Sequence, residues 1–158
     1  MFLTMYSCKK KKERNIPLKA EEEIFNFEIY ESKEGKKLWI LKAKKAFVFE
    51  EKTKVKKLKI HFLSNKDTSS VLTADSGLVD NKNGNLYAFG NVEVFTKEGA
   101  YLKTTFLMWN SERKRIITDK NIYIKDKGRE IYGKGLEATP DLKEITIKQI
   151  KGKTNLNK

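Results

Sequence analysis

A unit of about thirty residues recurs along this chain, and a period of that length points to one supersecondary unit laid down several times. Leu41-Lys42-Ala43-Lys44-Lys45-Ala46 is echoed by Leu72-Thr73-Ala74-Asp75-Ser76-Gly77, by Leu102-Lys103-Thr104-Thr105-Phe106-Leu107, and faintly by Tyr132-Gly133-Lys134-Gly135-Leu136. The register persists downstream, where Gly90-Asn91-Val92-Glu93-Val94 aligns with Lys120-Asn121-Ile122-Tyr123-Ile124 and Asp80 aligns with Asn110. Such a unit cannot bury its apolar face alone, so stacked neighbours must supply the core between them.

The period inside each unit is two, the signature of strands. Phe25, Phe27 and Ile29 alternate with Asn26, Glu28 and Tyr30, and Glu34-Gly35-Lys36 supplies a turn. Short strands are expected near 71 to 75 and 77 to 80, again near 100 to 104 and 106 to 110, with a last one near 143 to 151. Asn65-Lys66-Asp67-Thr68-Ser69-Ser70 is a loop by composition, and Lys97-Glu98-Gly99 and Lys125-Asp126-Lys127-Gly128 read as turns of one type. The Lys19 to Glu23 cluster is too short for a stable helix.

The apolar positions shift phase once per unit. Leu72 and Ala74 share a face with Gly77 and Val79 only if the strand bends between them, and Leu102 and Thr104 stand in the same relation to Leu107 and Trp109. A bend at a fixed point in every repeat folds the sheet over. Ala43, Ala46, Ala74, Gly77, Gly133 and Gly135 are small enough to let the two walls approach there. The fold class expected is all-β, a folded-over antiparallel β-jelly-roll built from these repeats. Residues 1–20 read as a disordered basic tether, 21–151 as the β-jelly-roll domain and 152–158 as a polar tail.

Composition limits the function. A chain of 158 residues, 39% hydrophobic and 35% charged, suits one thin domain better than a thick globule. Its formal net charge of +13 favours anionic partners in general, although lysine on alternate strand positions also describes a solvated face. The single cysteine, Cys8, excludes an internal disulfide and a zinc ribbon. His61 is the only histidine; alternation turns it away from the apolar face, and no paired nucleophile or ligand spacing accompanies it, so no catalytic or metal site is expected. Gly133-Lys134-Gly135 lacks the strand-to-helix context of a phosphate loop. Trp39 and Trp109 are placed on strands near the bend of their units, and Trp109 is expected to fill core volume. Phenylalanines interleaved with lysines also describe a surface that stacks nucleobases, without any RNA-recognition signature.

Trp39-Ile40-Leu41-Lys42-Ala43, Leu72 to Gly77, Gly90 to Val94, Gly99-Ala100-Tyr101-Leu102-Lys103-Thr104 through Leu107-Met108-Trp109-Asn110, and Ile117-Thr118-Asp119-Lys120 together resemble the LptC family and its LptA and OstA-like relatives. The resemblance covers roughly residues 24 to 150 and lies in the order of several short motifs. It implies a non-enzymatic jelly-roll without cofactor, in the periplasm and attached to the inner membrane. Such a protein receives lipopolysaccharide from an inner-membrane ABC transporter (LptB, LptF and LptG) and hands it to an LptA-type bridge protein by edge-to-edge strand pairing. The acyl chains would be lined by Leu41, Phe47, Leu58, Ile60, Leu72, Ala74, Leu86, Val92, Leu102, Leu107, Trp109, Ile122 and Ile131.

The partner edges would be Phe25, Phe27 and Ile29 toward the transporter, and Ile145, Ile147 and Ile150 toward the bridge. Members of the family carry an N-terminal transmembrane helix. Here Met1-Phe2-Leu3-Thr4-Met5-Tyr6-Ser7-Cys8 followed by Lys9-Lys10-Lys11-Lys12 instead resembles the end of a lipoprotein signal, with Cys8 either the lipid anchor or an incidental thiol, the helix in that case lying upstream of a misplaced start. A soluble LptA-like shuttle, a basic β-rich nucleic-acid binder and a structural envelope protein are the alternatives.

Overall fold

A computed structural model describes residues 2–5 and 22–155. Its strands are β1 (Phe2–Met5), β2 (Glu22–Lys33), β3 (Lys36–Val48), β4 (Lys52–Ser64), β5 (Asp67–Asp80), β6 (Leu86–Thr96), β7 (Tyr101–Asn110), β8 (Arg115–Asp126), β9 (Arg129–Ala138) and β10 (Ile145–Asn155). They form one antiparallel sheet whose spatial order is the chain order. The first and last strands do not meet, so the sheet is not closed into a barrel. β1 lies within the stretch read as a tether, pairing Phe2 to Met5 with Ser32 to Ile29, and β10 runs on to Asn155.

Three of the hairpins are two-residue turns with both residues left-handed: Glu34-Gly35, Asn65-Lys66 and Lys127-Gly128. That geometry matches the twist of the flanking strands, so it carries them directly into pairing. Two expectations give way here. Asp67 to Ser70 belongs to β5, because the Asn65-Lys66 turn already completes the reversal. The turn after Thr96 differs in type from the one after Asp126. It spans Lys97 to Ala100, with Gly99 N–H donating to the Thr96 carbonyl and Ala100 N–H to Thr96 Oγ1.

Each pair of short strands expected around a bend is one continuous strand. In β5 the buried face reads Ser70, Leu72, Ala74 and then Gly77, Val79; in β7 it reads Leu102, Thr104 and then Leu107, Trp109. The pairing slips at the same places, between Thr73 and Ser76 and between Thr104 and Met108. Left-handed residues make the turn of the backbone in several strands: Asn26 (φ 56°), Lys57 (φ 56°), Asn91 (φ 45°) and Gly135 (φ 84°). Because these irregularities lie side by side across the sheet, one local kink repeated becomes a bend line along its whole length.

The sheet is curled about that line. Phe62 on β4 stacks on Trp109 on β7 with ring centroids 5.2 Å apart, and Ser111 after β7 hydrogen-bonds Glu31 on β2 at 3.0 Å. Strands so far apart in the sheet can touch only if its two halves face each other. Between them lies a single apolar cluster contributed by every strand from β2 to β9. Small residues flank the bend as expected. A Cβ on Gly77 would come within 2.7 Å of both Leu58 Cδ2 and the Tyr87 carbonyl oxygen, so no larger side chain fits there.

Candidate lipid-binding interior and seam

The interior is built by strict alternation on either side of the bend. Leu41, Leu58, Ile60, Leu72, Ala74, Leu86, Val92, Leu102, Leu107, Trp109 and Ile122 are all buried in one cluster, and Ile131 packs against it half-buried. Phe47 lies elsewhere. The bend in β3 shifts the alternation so that Ala46 points inward, and Phe47 is left half-buried on the outer face with Lys45 Nζ 5.5 Å from its ring. Phe27, Ile29, Trp39, Phe62, Ile116 and Leu136 complete the same lining.

Along the mouth of the curled sheet the two walls meet in a seam. Trp39 Nε1 donates to Glu31 Oε1 at 2.9 Å, and Ser111 Oγ donates to Glu31 Oε2 at 3.0 Å. Glu31 is wholly buried. Burial pushes its carboxyl above the ordinary glutamate range, against the opposing hydrogen bonds from Ser111 and Trp39 and the charge of Lys114. Further along, the Phe62–Trp109 contact closes the gap, and at the far side Lys143 Nζ lies 3.6 Å from Glu98. Trp109 and Trp39 therefore belong to the seam, near strand ends, and not to the bend as the sequence suggested.

Two buried polar atoms in this seam have no hydrogen-bond partner among the described residues, Ser70 Oγ and Trp109 Nε1. Ser70 is the cross-strand neighbour of Phe62, which carries the ring against Trp109. An unpaired buried polar group costs about 1–3 kcal/mol. The seam is thus weakest in its middle and best tied at the Glu31 end.

The outer walls carry the charged side chains together with exposed aromatics. Phe95, Tyr101, Tyr123 and Tyr132 form an aromatic ladder across β6 to β9, with centroid spacings of 4.9, 6.1 and 5.0 Å. Two of its phenols are pinned, Tyr101 to Glu93 at 2.7 Å and Tyr123 to Glu130 at 2.6 Å. His61 faces outward between Ile60 and Phe62 as alternation required, and burial together with Lys42 and Lys59 lowers its pKa.

The expected partner edges divide by face. Phe25 is 64% exposed on the outside, whereas Phe27 and Ile29 point into the core; Ile29 is also the cross-strand partner of Met5 on β1. Ile147 packs against the core, and Ile145 and Ile150 are exposed along the last strand. Cys8 lies outside the described residues. Sequence reasoning did not single out Glu31 or Ser111, although Glu31 falls in step with Phe27 and Ile29 on the inward face.

An open antiparallel sheet curled around an apolar interior, with its charge on the outer walls, defines a folded-over β-jelly-roll. The chain matches the LptC family, described as lipopolysaccharide-assembly, LptC-related, over residues 3–155, and it belongs to that family. Membership makes it a non-enzymatic protein of lipopolysaccharide transport and assembly. No curated protein matches the chain.

Proposed function

We propose that this protein holds the acyl chains of lipopolysaccharide between its two walls in the periplasm, receiving them from an inner-membrane ABC transporter (LptB, LptF and LptG) and passing them to an LptA-type bridge protein. The observation that carries this reading is the seam. The apolar interior is continuous, yet its mouth is closed by a few side-chain contacts, and the middle contact contains two unpartnered polar groups. Parting Phe62 from Trp109 exposes an apolar groove and lets both polar groups bond to water or to a ligand amide, so opening there costs less than elsewhere. Leu72 and Leu107 lie inside; β10, with Ile145 to Ile150, is one end of the sheet available for strand addition, and on β2 the stretch from Phe25 to Glu28 lies beyond the segment that β1 pairs, while Ile29 is already paired with Met5. Attachment to the inner membrane runs through an acylated Cys8 or an upstream helix.

A photocrosslinking residue at Leu72 or Leu107 tests the assignment. Adducts to lipopolysaccharide are expected at both and should persist at high salt, since acyl capture is not electrostatic. A crosslinker at exposed Lys103 serves as the outer-wall control. Equal labelling inside and outside, or labelling that vanishes with salt, overturns the interior as the lipid site.

A further inference from the structure

Strands β3 and β4 carry five lysines each and no carboxylate. Pairing sets them against one another: Lys42 is the cross-strand partner of Lys59 and Lys45 of Lys56, and Lys44 and Lys57 fall opposite each other between these pairs. Like charges directly opposite in a sheet are destabilising. Of these ten lysines, Lys45 has a carboxylate within 4 Å among the described residues, Glu23 at 3.1 Å. Lys57 adds a backbone cost. The equivalent bends use Asn26, Asn91 and Gly135, which suit a left-handed backbone, whereas β4 places a lysine there at φ 56°.

A face that gathers charge against its own folding stability is explained by an anionic partner. The lysines surround a depression of about 370 Å³ at the bend, bounded by Asn26, Glu28, Lys42, Lys44, Lys57 and Lys59; Glu28, the cross-strand partner of Lys42 on β2, is outnumbered there by four lysines. They are flexible point charges spread along two strands, without the arginine fork that grips a single phosphate. Beside them stands exposed Phe25, with Lys45 Nζ 5.3 Å from its ring, and Phe49 lies under Lys54 at 5.6 Å. An aromatic side chain flanked by lysines is the composition of a surface that rests in a lipid headgroup layer.

We infer that the outer face of β3 and β4 is a docking surface for an anionic phospholipid bilayer, through the Lys42–Lys59, Lys44–Lys57 and Lys45–Lys56 pairs. This site is separate from the interior, and it holds whichever lipid the interior carries. Docked in this way, the domain would lie against the membrane with its seam and opposite wall facing away.

The test uses the full chain carrying Cys8→Ser, so that acylation does not contribute, and co-sedimentation with vesicles of phosphatidylcholine alone or mixed with phosphatidylglycerol. Binding is expected to the mixed vesicles and to fall with salt. Replacing Lys42, Lys44 and Lys59 by Gln and Lys57 by Asn should weaken it about a hundredfold or more, since each lysine near an anionic surface is worth about fivefold. The same variant should melt no lower than the parent, because it removes repulsion and a strained lysine. A charge-matched control, with Lys103, Lys120, Lys125 and Lys134 replaced by Gln, should retain nearly all binding. Equal loss in both variants would show that net charge alone is responsible and overturn the site. Unchanged vesicle binding in the patch variant also overturns it, whether or not that variant loses affinity for lipopolysaccharide micelles or duplex DNA.

Discussion

The indole of Trp39 donates to the carboxylate of Glu31 across a cross-strand pair at 2.9 Å, with both residues wholly buried. Because Ser111 reaches the same carboxylate from the opposite wall, this one pair ties the sheet to itself. Burial of that carboxyl outweighs the two hydrogen bonds, so the fold binds the Glu31 proton more readily than the unfolded chain does. Stability should fall as pH rises from the ordinary glutamate range to the raised folded value, and be flat above it. Glu31→Gln keeps an acceptor for Trp39 and Ser111 and should abolish that slope in denaturant titrations at a series of pH values. Glu31→Ala leaves the Trp39 N–H buried and unpaired and should cost about 2–4 kcal/mol. A Gln variant that retains the slope would assign it to another group.

Gly77 sits where the bend brings β4, β5 and β6 closest. The clash of an added Cβ with the Tyr87 carbonyl at 2.7 Å is with backbone, which a rotamer change cannot relieve. Gly77→Ala should destabilise by about 1–3 kcal/mol, an overpacking cost, read from the shift of the thermal or urea midpoint. A neutral outcome would mean that the bend line is more compliant than its packing indicates.

Tyr101 and Tyr123 should ionise well above the ordinary phenol range. Burial and then Glu93 push Tyr101 up to about 12, and the hydrogen bond to Glu130 does most to push Tyr123 to about 12. Both raised values favour the protonated fold, so their contribution is intact below the ordinary phenol range and is lost as pH climbs through the folded values. Ultraviolet titration should show a late-ionising group that shrinks when either residue is changed to Phe. No change on substitution would place the late titration elsewhere.

Removing β10 should separate the two ends of the sheet functionally. A chain ending before Ile145 loses the exposed edge of Ile145 and Ile150 while leaving β2 in place. It should fail to pull down an LptA-type partner yet still associate with the transporter. Loss of both associations, with a collapsed melting transition, would indicate unfolding of the whole sheet instead.

Most of the fold was legible because period-two alternation and a thirty-residue repeat are properties of the chain itself. The phase slip from Ala74 to Gly77 and from Thr104 to Leu107 located the bend without any coordinates. What it could not convey is that the strand continues through the bend, since a register break and a strand end look alike in hydropathy. Phe47 was misplaced for the same reason, because the buried alternation of β3 shifts between Ala43 and Ala46 and leaves Phe47 on the other face, although the pairing with β4 stays in register. The seam was invisible for a different reason. Glu31 meets Ser111 eighty positions away, and which inward residues meet across the walls depends on how far one wall slides past the other, a quantity absent from local pattern.

That slide has a consequence for assembly. Glu31 of β2 meets the end of β7, Phe62 of β4 also meets β7, and Glu98 after β6 meets Lys143 before β10. Each wall is therefore offset by several strands against its counterpart across the seam. Toward the two ends of the sheet, Ile24 on β2 and Ile131 on β9 pack against the core yet are only partly covered. A partner strand added at either end would have to match that offset as well as the hydrogen bonds of the outermost strands.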